Sequence, residues 1–379
     1  MSRSRLGSDH VSGSGGVLTI DLDAIAVNYR LLSDRSGPRA ECGAVVKADA
    51  YGLGLEPVAV TLWQAGCRSF FVALPEEGLA LRACLSDAAI IVFNGVDADS
   101  AGDMAAAGLV PVLNHLGQVE AWRARAQAEG TDLPAILHLD TGMNRLGLSE
   151  ADARALAGTS GATEGLDVTA VMSHLACAEE PNHPLNEEQR ARFMAGRDSL
   201  APLGAMKASL ANSSGVFLGS RFHFDLVRPG AAIYGLNPIP SGPNPMSQVV
   251  KLQGKILQTR MIDTPSTVGY GATHRAESGQ RIATLGLGYA DGFLRSLSNS
   301  ASAFVGGVRV PVVGRVSMDL ITVDVTAVPE EATRPGDFVD IIGPEHTADA
   351  LAREAGTIGY EILSALGGRF QRHYVGGAS

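Results

Sequence analysis

Short apolar runs alternate with amphipathic segments between residues 40 and 240, and each run has about the length of one buried strand. The segments between them, such as EEGLALRACL and QVEAWRARAQAEG, space their apolar residues as helices do. Eight strands alternating with helices predict a parallel (β/α)8 barrel of the TIM-like type. The eight runs are AVVKA, FFVAL, IIVFN, VPVLN, AILHLD, VTAVMSH, ASLANS and AAIYGL.

The pattern changes near residue 246, where Val- and Ile-rich stretches separated by Gly and Pro predict a mainly β domain. We therefore divide the chain into a polar, disordered tail at residues 1–16, a barrel at 17–245 and a C-terminal β domain at 246–379. We expect the first strand, residues 17–22, to pair with the C-terminal domain. The sequence therefore predicts a fold of class α/β, with a barrel followed by a β domain.

Length and charge limit the possible functions. The 379 residues exceed what one hydrophobic core usually serves, in line with two domains. The formal net charge is -10 and no run of Lys or Arg could follow a phosphate backbone, so we expect no nucleic-acid partner. We expect no membrane partner either, because no apolar stretch approaches the roughly 20 residues that span a bilayer. The tail lacks the apolar core of a signal peptide.

The cysteines are scattered, without any C-x-x-C pair. This spacing argues against a zinc site and against a disulfide framework, so we predict no metal and four buried, unreactive thiols. A reducing, cytoplasmic environment fits this usage best. The four positions are Cys42, Cys67, Cys84 and Cys177.

Polar residues close several of the apolar runs. In a barrel of this type the chemistry lies at the carboxyl ends of the strands, so these positions are the candidate site. They are Lys47, His138, Asp140, His174, Asn212, Ser213 and, just before the last run, Arg228.

Lys47 ends the first run in VVKADAYGLG and has two interpretations. A lysine at a strand end often extends its ammonium to solvent. Followed by a turn, and accompanied by a later Ser, a Gly-rich turn and an Arg, it also fits an amine that binds the aldehyde of a phosphate-bearing cofactor. In the first interpretation the amine is exposed to solvent, and in the second it lies in a cofactor-binding site.

From about residue 17 onward the chain resembles the alanine racemases, a pyridoxal-phosphate family of the barrel type. One of the matching motifs would be a weak signal, but nine in the family's order are specific. They are VVKADAYGLG, LDTGMNRLGL, MSHLACAEEP, ANSSG, LVRPGAAIYGL, VGYGATH, GLGYADGF, GRVSMDL and AGTIGYEIL.

The resemblance implies four catalytic residues. Lys47 would hold pyridoxal 5'-phosphate as an internal aldimine and serve as one acid/base, and Tyr270 would be the second base on the opposite face. Lysine and tyrosine have ordinary pKa values of about 10.4 and 10, so neighbouring charge or desolvation must tune both. His174 would couple Tyr270 to Arg228, and Arg228 would face the pyridine nitrogen, which it can only donate to.

The same resemblance implies further contacts with the cofactor and the substrate. The phosphate would be held by Ser213, by N–H groups at Gly230 and Ala231, and by the hydroxyls of Tyr51 and Tyr360. The remaining implied contacts are Asn212 beside the cofactor, Arg145 near the cofactor's phenolic oxygen and the substrate carboxylate, and Tyr289, Met318 and Asp319 in the substrate pocket. In the family the second base reaches the partner subunit's cofactor, which implies a homodimer with composite sites.

Several positions depart from the commoner family pattern. His138 stands where the family often has a lysine modified by CO2, so no carbamate can orient Arg145 there. The others are Asp49 for asparagine, Leu53 for histidine, Ser317 for cysteine and Gly359 for asparagine. These changes affect the expected substrate range more than the reaction type.

The resemblance favours an amino-acid racemase, an isomerase that interconverts L-alanine and D-alanine and supplies D-alanine for peptidoglycan. A racemase of broader specificity, acting for example on serine, is an alternative. A pyridoxal-phosphate-binding barrel that does not racemise is another, although such proteins generally lack the second domain that carries Tyr270. A decarboxylase of related architecture would carry a cysteine-bearing motif that we do not find.

Overall fold

A computed structural model describes residues 14–377, so residues 1–13 of the predicted tail lie outside the described part of the chain. The strands, in chain order, are β1 (Gly16–Asp21), β2 (Glu41–Cys42), β3 (Ala44–Val45), β4 (Ser69–Val72), β5 (Ala89–Val92), β6 (Val110–Leu113), β7 (Leu133–His138), β8 (Leu166–Met172), β9 (Lys207–Ser209), β10 (Leu226–Val227), β11 (Val250–Met261), β12 (Ser266–Val268), β13 (His274–Ala276), β14 (Arg281–Leu285), β15 (Ser302–Val305), β16 (Val308–Pro311), β17 (Ile321–Asp324), β18 (Phe338–Ile342) and β19 (Gln371–Val375). The helices are α1 (Leu22–Ser36), α2 (Lys47–Gly52), α3 (Leu55–Gln64), α4 (Pro75–Cys84), α5 (Ala101–Ala106), α6 (Leu116–Glu129), α7 (Glu150–Gly158), α8 (Pro184–Ser199), α9 (Ala348–Ala355) and α10 (Gly359–Ser364).

The described chain forms two compact units, one of residues 23–247 and one that joins the segment before residue 23 to residues 248–377. No helix among the described residues is long and apolar enough to cross a membrane.

The unit of residues 23–247 is the predicted barrel, which is confirmed. Strands β3 to β9 form a seven-stranded parallel sheet, and β10 pairs in parallel with β2. Backbone bonds from Asp225 N to Ala208 O (3.0 Å) and from Arg228 N to Ala211 O (2.9 Å) connect the β10 segment to β9 as well. The sheet therefore closes on itself.

Burial on both faces explains why these strands read as continuous apolar runs. Every residue of β4 is buried, and Phe70 and Phe71 are fully so. In a parallel sheet one face meets helices and the other meets the barrel interior, so alternation of polar and apolar residues disappears. Helix α6 covers the outside with Trp122, whose Nε1 donates to Pro134 O at 3.1 Å.

The eighth run of the sequence, AAIYGL, is not a strand, and that prediction was wrong. Residues Ala231–Tyr234 form a 3-10 helix, and the eighth barrel strand is β10, before Arg228 rather than after it. All four residues of the helix are buried. A short segment that is apolar on every side shows no periodicity, so the sequence could not distinguish the two structures.

The second unit is a mainly β structure, also as predicted. Its main sheet has the strand order β16-β15-β18-β11-β1-β19, and β14 pairs with both β11 and β17. Strand β11 is the central strand of this unit, because it pairs with β1, β14 and β18. Strands β12 and β13 form a hairpin, and the core beneath it contains Ile262, Val268, Ala276, Ile282 and Val313.

Candidate active site

Lys47 follows β3 at the carboxyl end of the barrel and begins a turn of opposite hand. The next four residues, 48–51, all have left-handed backbone angles, with φ between 53° and 57°. L-residues rarely adopt this conformation because Cβ approaches the next carbonyl oxygen. Bonds from Ala50 N to Val46 O and from Gly54 N to Asp49 O close the turn. Burial and the charge of Arg145 lower the pKa of the Lys47 amine, whereas Glu77 raises it.

Ser213, Gly230 and Tyr51 form a compact polar cradle. The Ser213 hydroxyl accepts from Gly230 N at 2.9 Å and from Ala232 N at 3.2 Å. A Cβ atom on Gly230 would lie 2.4 Å from the Tyr51 hydroxyl, so any larger residue there would force Tyr51 to move. The predicted Ala231 is buried in the same segment. Hydroxyl groups and backbone N–H groups at one point are a suitable environment for a phosphate.

Asn212, predicted beside the cofactor, has a local structural role in this structure. Its side-chain oxygen accepts from Gly215 N at 2.9 Å and so closes the turn that follows β9. The neighbouring Ser213 is thereby fixed in the cradle.

Arg228 is buried and held by two neighbouring strands. Its Nη1 donates to the Ser209 hydroxyl, and its Nη2 donates to Ser173 O at 2.6 Å. The third nitrogen, Nε, is buried without a hydrogen-bond partner. Burial lowers the pKa of Arg228 to about 9, so the guanidinium remains protonated at neutral pH. Its Nε therefore offers a charged, unsatisfied donor.

Two histidines of the site are neutral at physiological pH. Burial, followed by the charges of Arg228 and Arg145, lowers the pKa of His174 to about 3. The pKa of His138 falls to about 4 for the same leading reasons, burial and then Arg228. The positive charge of Lys47, and that of His138 when it is protonated, also lower the pKa of His174. These residues therefore share one electrostatic environment.

Arg145 extends from a loop that Asp140 organises. The Oδ1 atom of Asp140 accepts from the backbone N of Gly142 (2.9 Å), Met143 (3.1 Å) and Asn144 (3.1 Å). Asn144 has a left-handed φ of 54°, which turns the chain just before Arg145. The arginine side chain is exposed, and its charge acts on Lys47, His138 and His174.

The other predicted residues belong to the second unit. Tyr270 begins the 3-10 helix Tyr270–Ala272 and is 74% exposed. Tyr289 and Met318 are also exposed. Asp319 accepts from Arg369 Nη1 at 2.7 Å, and Tyr360 lies on α10.

A cavity of about 430 Å³ adjoins Tyr270 within the second unit. The lining includes Arg315, whose guanidinium lies about 3.0 Å from where a Cβ on Gly271 would be. Arg315 belongs to the motif GRVSMDL but is not among the residues predicted from the sequence. The complete lining is Gly269, Tyr270, Thr284, Arg315, Ser317, Leu320, Ile321 and Thr322.

Sequence reasoning also missed four residues that position the site in the barrel. Asn114 follows β6 and contacts His138, Ser173 follows β8, and Ser209 ends β9. Glu77 lies in the first turn of α4. Asn114 and Ser173 are polar residues that close an apolar run, the signal used for Lys47, whereas Ser209 lies inside the run ASLANS. That signal could have identified Asn114 and Ser173.

The positions that depart from the family pattern have local explanations. Asp49 Oδ1 accepts from Leu55 N at 2.8 Å, and Leu53 is fully buried. The Ser317 hydroxyl donates to Leu320 O at 2.7 Å and accepts from Leu320 N, closing a turn. Gly359 is buried at the start of α10. Cys42 and Cys67 are buried as expected, but Cys84 and Cys177 are partly exposed.

Two family profiles match the chain, one described as alanine racemase, N-terminal domain, at residues 20–238, and one as alanine racemase, C-terminal domain, at 249–374. An alanine racemase of Rhodospirillum rubrum is 50% identical over 97% of this chain and 98% of its own length. A catabolic alanine racemase of Mesorhizobium japonicum is 50% identical over 97% of this chain and 95% of its own.

Solved structures agree with these matches. The alanine racemase of Bartonella henselae with covalently bound pyridoxal phosphate superposes with a TM-score of 0.90 at 41% identity, over 96% of this chain and 100% of that one. The biosynthetic alanine racemase of Pseudomonas aeruginosa gives a TM-score of 0.87 at 36% identity, with the same coverage of both chains.

Proposed function

The chain belongs to the alanine racemase family, and from that premise we propose that it interconverts L-alanine and D-alanine with pyridoxal 5'-phosphate as cofactor. The observation that carries this proposal is the arrangement at the carboxyl end of the barrel. There one unit contains an amine of lowered pKa at Lys47, a polar cradle at Ser213 and Gly230, and a buried arginine with a free donor at Arg228.

The residues fit this cofactor. The cradle lacks room for a Cβ at Gly230 and gathers a serine hydroxyl, a tyrosine hydroxyl and backbone N–H groups, which suit a phosphate. The unsatisfied Arg228 Nε suits an acceptor such as a pyridine nitrogen. Lys47 supplies the amine that an aldehyde requires.

When bound, pyridoxal phosphate draws electrons from the amino acid attached to it and so acidifies the proton on Cα. Arg228 would limit that effect, because a guanidinium only donates and would leave the ring nitrogen of a bound cofactor unprotonated. The residues that transfer protons must therefore contribute more to lowering the activation barrier. The same limit disfavours side reactions that need a protonated ring.

Lys47 acts on one face of the substrate. Its lowered pKa increases the fraction of amine free to accept a proton at neutral pH. We assign the opposite face to Tyr270. Racemisation removes a proton from one face of Cα and must add a proton to the other face. Arg145 would bind the substrate carboxylate, and Tyr289, Met318 and Asp319 would shape the pocket. His174 remains neutral, and we assign it the position that couples Tyr270 to Arg228, as the family resemblance implies.

We further propose that the active unit is a homodimer in which Tyr270 completes the partner subunit's site. The 74% exposure of this tyrosine supports the assignment, since a catalytic base is rarely so exposed in a finished site. Tyr360 would supply a hydroxyl to the phosphate. Both assignments rest on the family resemblance.

We also propose a cytoplasmic location and a role in supplying D-alanine for peptidoglycan. All four cysteines are free thiols, which a reducing compartment preserves. Complementation of a bacterial strain that requires D-alanine tests the supply directly. Growth without added D-alanine is expected, and failure despite soluble expression would contradict the role.

The test of the activity is the conversion of L-alanine to D-alanine, and the reverse, by the purified chain and by Tyr270→Phe, with cofactor content read from absorbance. The chain should racemise alanine, and the variant should keep the cofactor while losing at least about 100-fold in kcat. Serine, lysine and arginine serve as competing substrates and measure breadth. Cofactor binding without exchange of any amino acid would support the non-racemising alternative.

A further inference from the structure

Glu77 connects two neighbouring loops at the top of the barrel. Its Oε2 accepts from the backbone N of Ala73 (2.7 Å) and Leu74 (3.1 Å), at the start of its own helix α4. Its Oε1 accepts from the backbone N of Ala48 at 2.6 Å, in the loop after β3. One carboxylate therefore ties the residue that follows Lys47 to the beginning of α4.

The number of donors dictates the residue type. Three N–H groups point at two oxygen atoms, so both oxygens must accept. Glutamine would place an NH2 group against at least one of these N–H donors, and one hydrogen bond would be lost. Aspartate is shorter by one CH2 and could not reach both loops. Only glutamate satisfies the arrangement.

The segment held in this way is strained. Residues 48–51 are non-glycine residues in the left-handed region, a conformation that L-residues rarely adopt. Such a segment persists only when its surroundings over-determine it. At its far end the Tyr51 ring is buried against Tyr234, with ring centroids 4.6 Å apart. At its near end the corresponding restraint is the Glu77 bond to Ala48.

The charges around Lys47 are few. Burial and Arg145 lower the pKa of its amine, and the carboxylate of Glu77 opposes them. His174 is neutral at physiological pH and adds no charge. Asp49 directs Oδ1 to Leu55 N. Glu77 is the carboxylate among the groups that shift the pKa of this amine.

We propose that Glu77 is the positioning residue for Lys47, holding the left-handed turn that presents the amine and keeping a negative charge beside it. That the Lys47 amine binds the cofactor and transfers protons rests on the proposed function. The bonds and the charge belong to the chain whether or not it racemises alanine.

The test compares Glu77→Gln with Glu76→Gln in the full chain. Glu76 is the exposed neighbour in the same helical turn, so the control removes an equal charge without touching Ala48. Hydrogen exchange read by mass spectrometry, with and without pyridoxal phosphate, should show about tenfold faster exchange over residues 48–54 in Glu77→Gln and no change in the control.

Acetylation with acetic anhydride, before loading with pyridoxal phosphate, measures the amine itself. Losing the anion lowers the pKa of Lys47, so Glu77→Gln should acetylate Lys47 faster at a given pH. Lys207, Lys251 and Lys255 are the chain's other lysines and serve as internal references.

Glu77→Asp separates the two roles. It should loosen residues 48–54 while leaving Lys47 acetylation closer to wild type, because the charge remains. If Glu77→Gln folds and alters neither readout, the proposal is wrong. If it does not fold, Glu77→Asp decides, since unchanged exchange over 48–54 would overturn the proposal. Neither readout requires turnover, so the outcome is independent of the racemase assignment.

Discussion

Asn114 Oδ1 lies 2.7 Å from Nδ1 of His138, and this contact determines the tautomer of the histidine. The Asn114 amide donates its Nδ2 protons to Phe93 O (3.0 Å) and Val112 O (2.9 Å), so its oxygen must face the ring. Nδ1 of His138 therefore carries the proton and donates. Its Nε2 then presents a lone pair, which can accept from a cation as the family's carbamate would.

The neutral state of His138 predicts acid sensitivity. A histidine whose folded pKa is about 4, against an ordinary 6.5, leaves the unfolded state with more bound protons between these values. The contribution of neutral His138 to the free energy of unfolding is complete above pH 6.5. It falls as the pH drops towards 4, by up to about 1.4 kcal/mol per pH unit. His138→Asn, which keeps a donor for Asn114, should reduce this loss in urea unfolding at pH 5.0 relative to pH 7.5.

His115→Asn is the matched control, because it removes an exposed histidine that caps α6 and asparagine also caps helices. Equal acid sensitivity of His138→Asn and wild type would show that His138 is not buried as a neutral ring.

Arg228 should be irreplaceable by lysine. Lysine keeps the charge but cannot reach the Ser209 hydroxyl and Ser173 O while also presenting a third donor. Arg228→Lys should lose about 2–4 kcal/mol of stability and at least about 100-fold in kcat, measured by urea unfolding and alanine racemisation. Arg197→Lys, on the exposed side of α8, should match wild type. Wild-type turnover in Arg228→Lys would refute the role of Nε.

Gly230→Ala should close the phosphate cradle. The new Cβ would lie 2.4 Å from the Tyr51 hydroxyl and 3.1 Å from Val45 Cβ. We expect pyridoxal phosphate affinity to fall at least about tenfold and stability to fall by about 1–3 kcal/mol. Gly158→Ala, where nothing lies within 4 Å, should bind normally. Absorbance titration with the cofactor measures both variants, and equal affinities would place the phosphate elsewhere.

A composite site predicts complementation between inactive subunits. Lys47→Ala and Tyr270→Phe should each be nearly inactive alone. In a mixed dimer one site carries both changes and the other carries neither, so an equimolar mixture refolded together should recover about one quarter of wild-type activity. Mixing Lys47→Ala with Lys47→Ala/Tyr270→Phe should recover nothing. No recovery in the first mixture, with mixed dimers present, would mean that both bases come from one chain.

The barrel and its reactive end could be predicted from the sequence because strand ends in a closed parallel sheet share one face. Lys47, His138 and His174 stand at the ends of apolar runs and Arg228 stands just before the last run, and these positions are local signals. The position of the last strand could not be predicted, because Ala231–Tyr234 is buried on all sides and has no periodicity.

The contacts that orient the site could not be predicted either. Asn114 meets His138 across 24 residues of sequence, and Glu77 meets Ala48 across 29. Such pairs depend on which loops the closed sheet brings together. Likewise, nothing in ADAY indicates a left-handed turn, since Ala and Tyr favour right-handed angles in every local context. Tertiary restraint overrides local preference there.

The two strand contacts of Arg228 also limit how this protein could evolve new chemistry. A carboxylate at position 228, the partner that would turn the cofactor into a stronger electron sink, has no N–H to donate, so the buried carbonyl oxygen of Ser173 would lose the hydrogen bond that Arg228 gives it. That oxygen belongs to the main chain, and no side-chain substitution removes it. The barrel backbone therefore favours arginine at this position independently of the reaction that the protein catalyses.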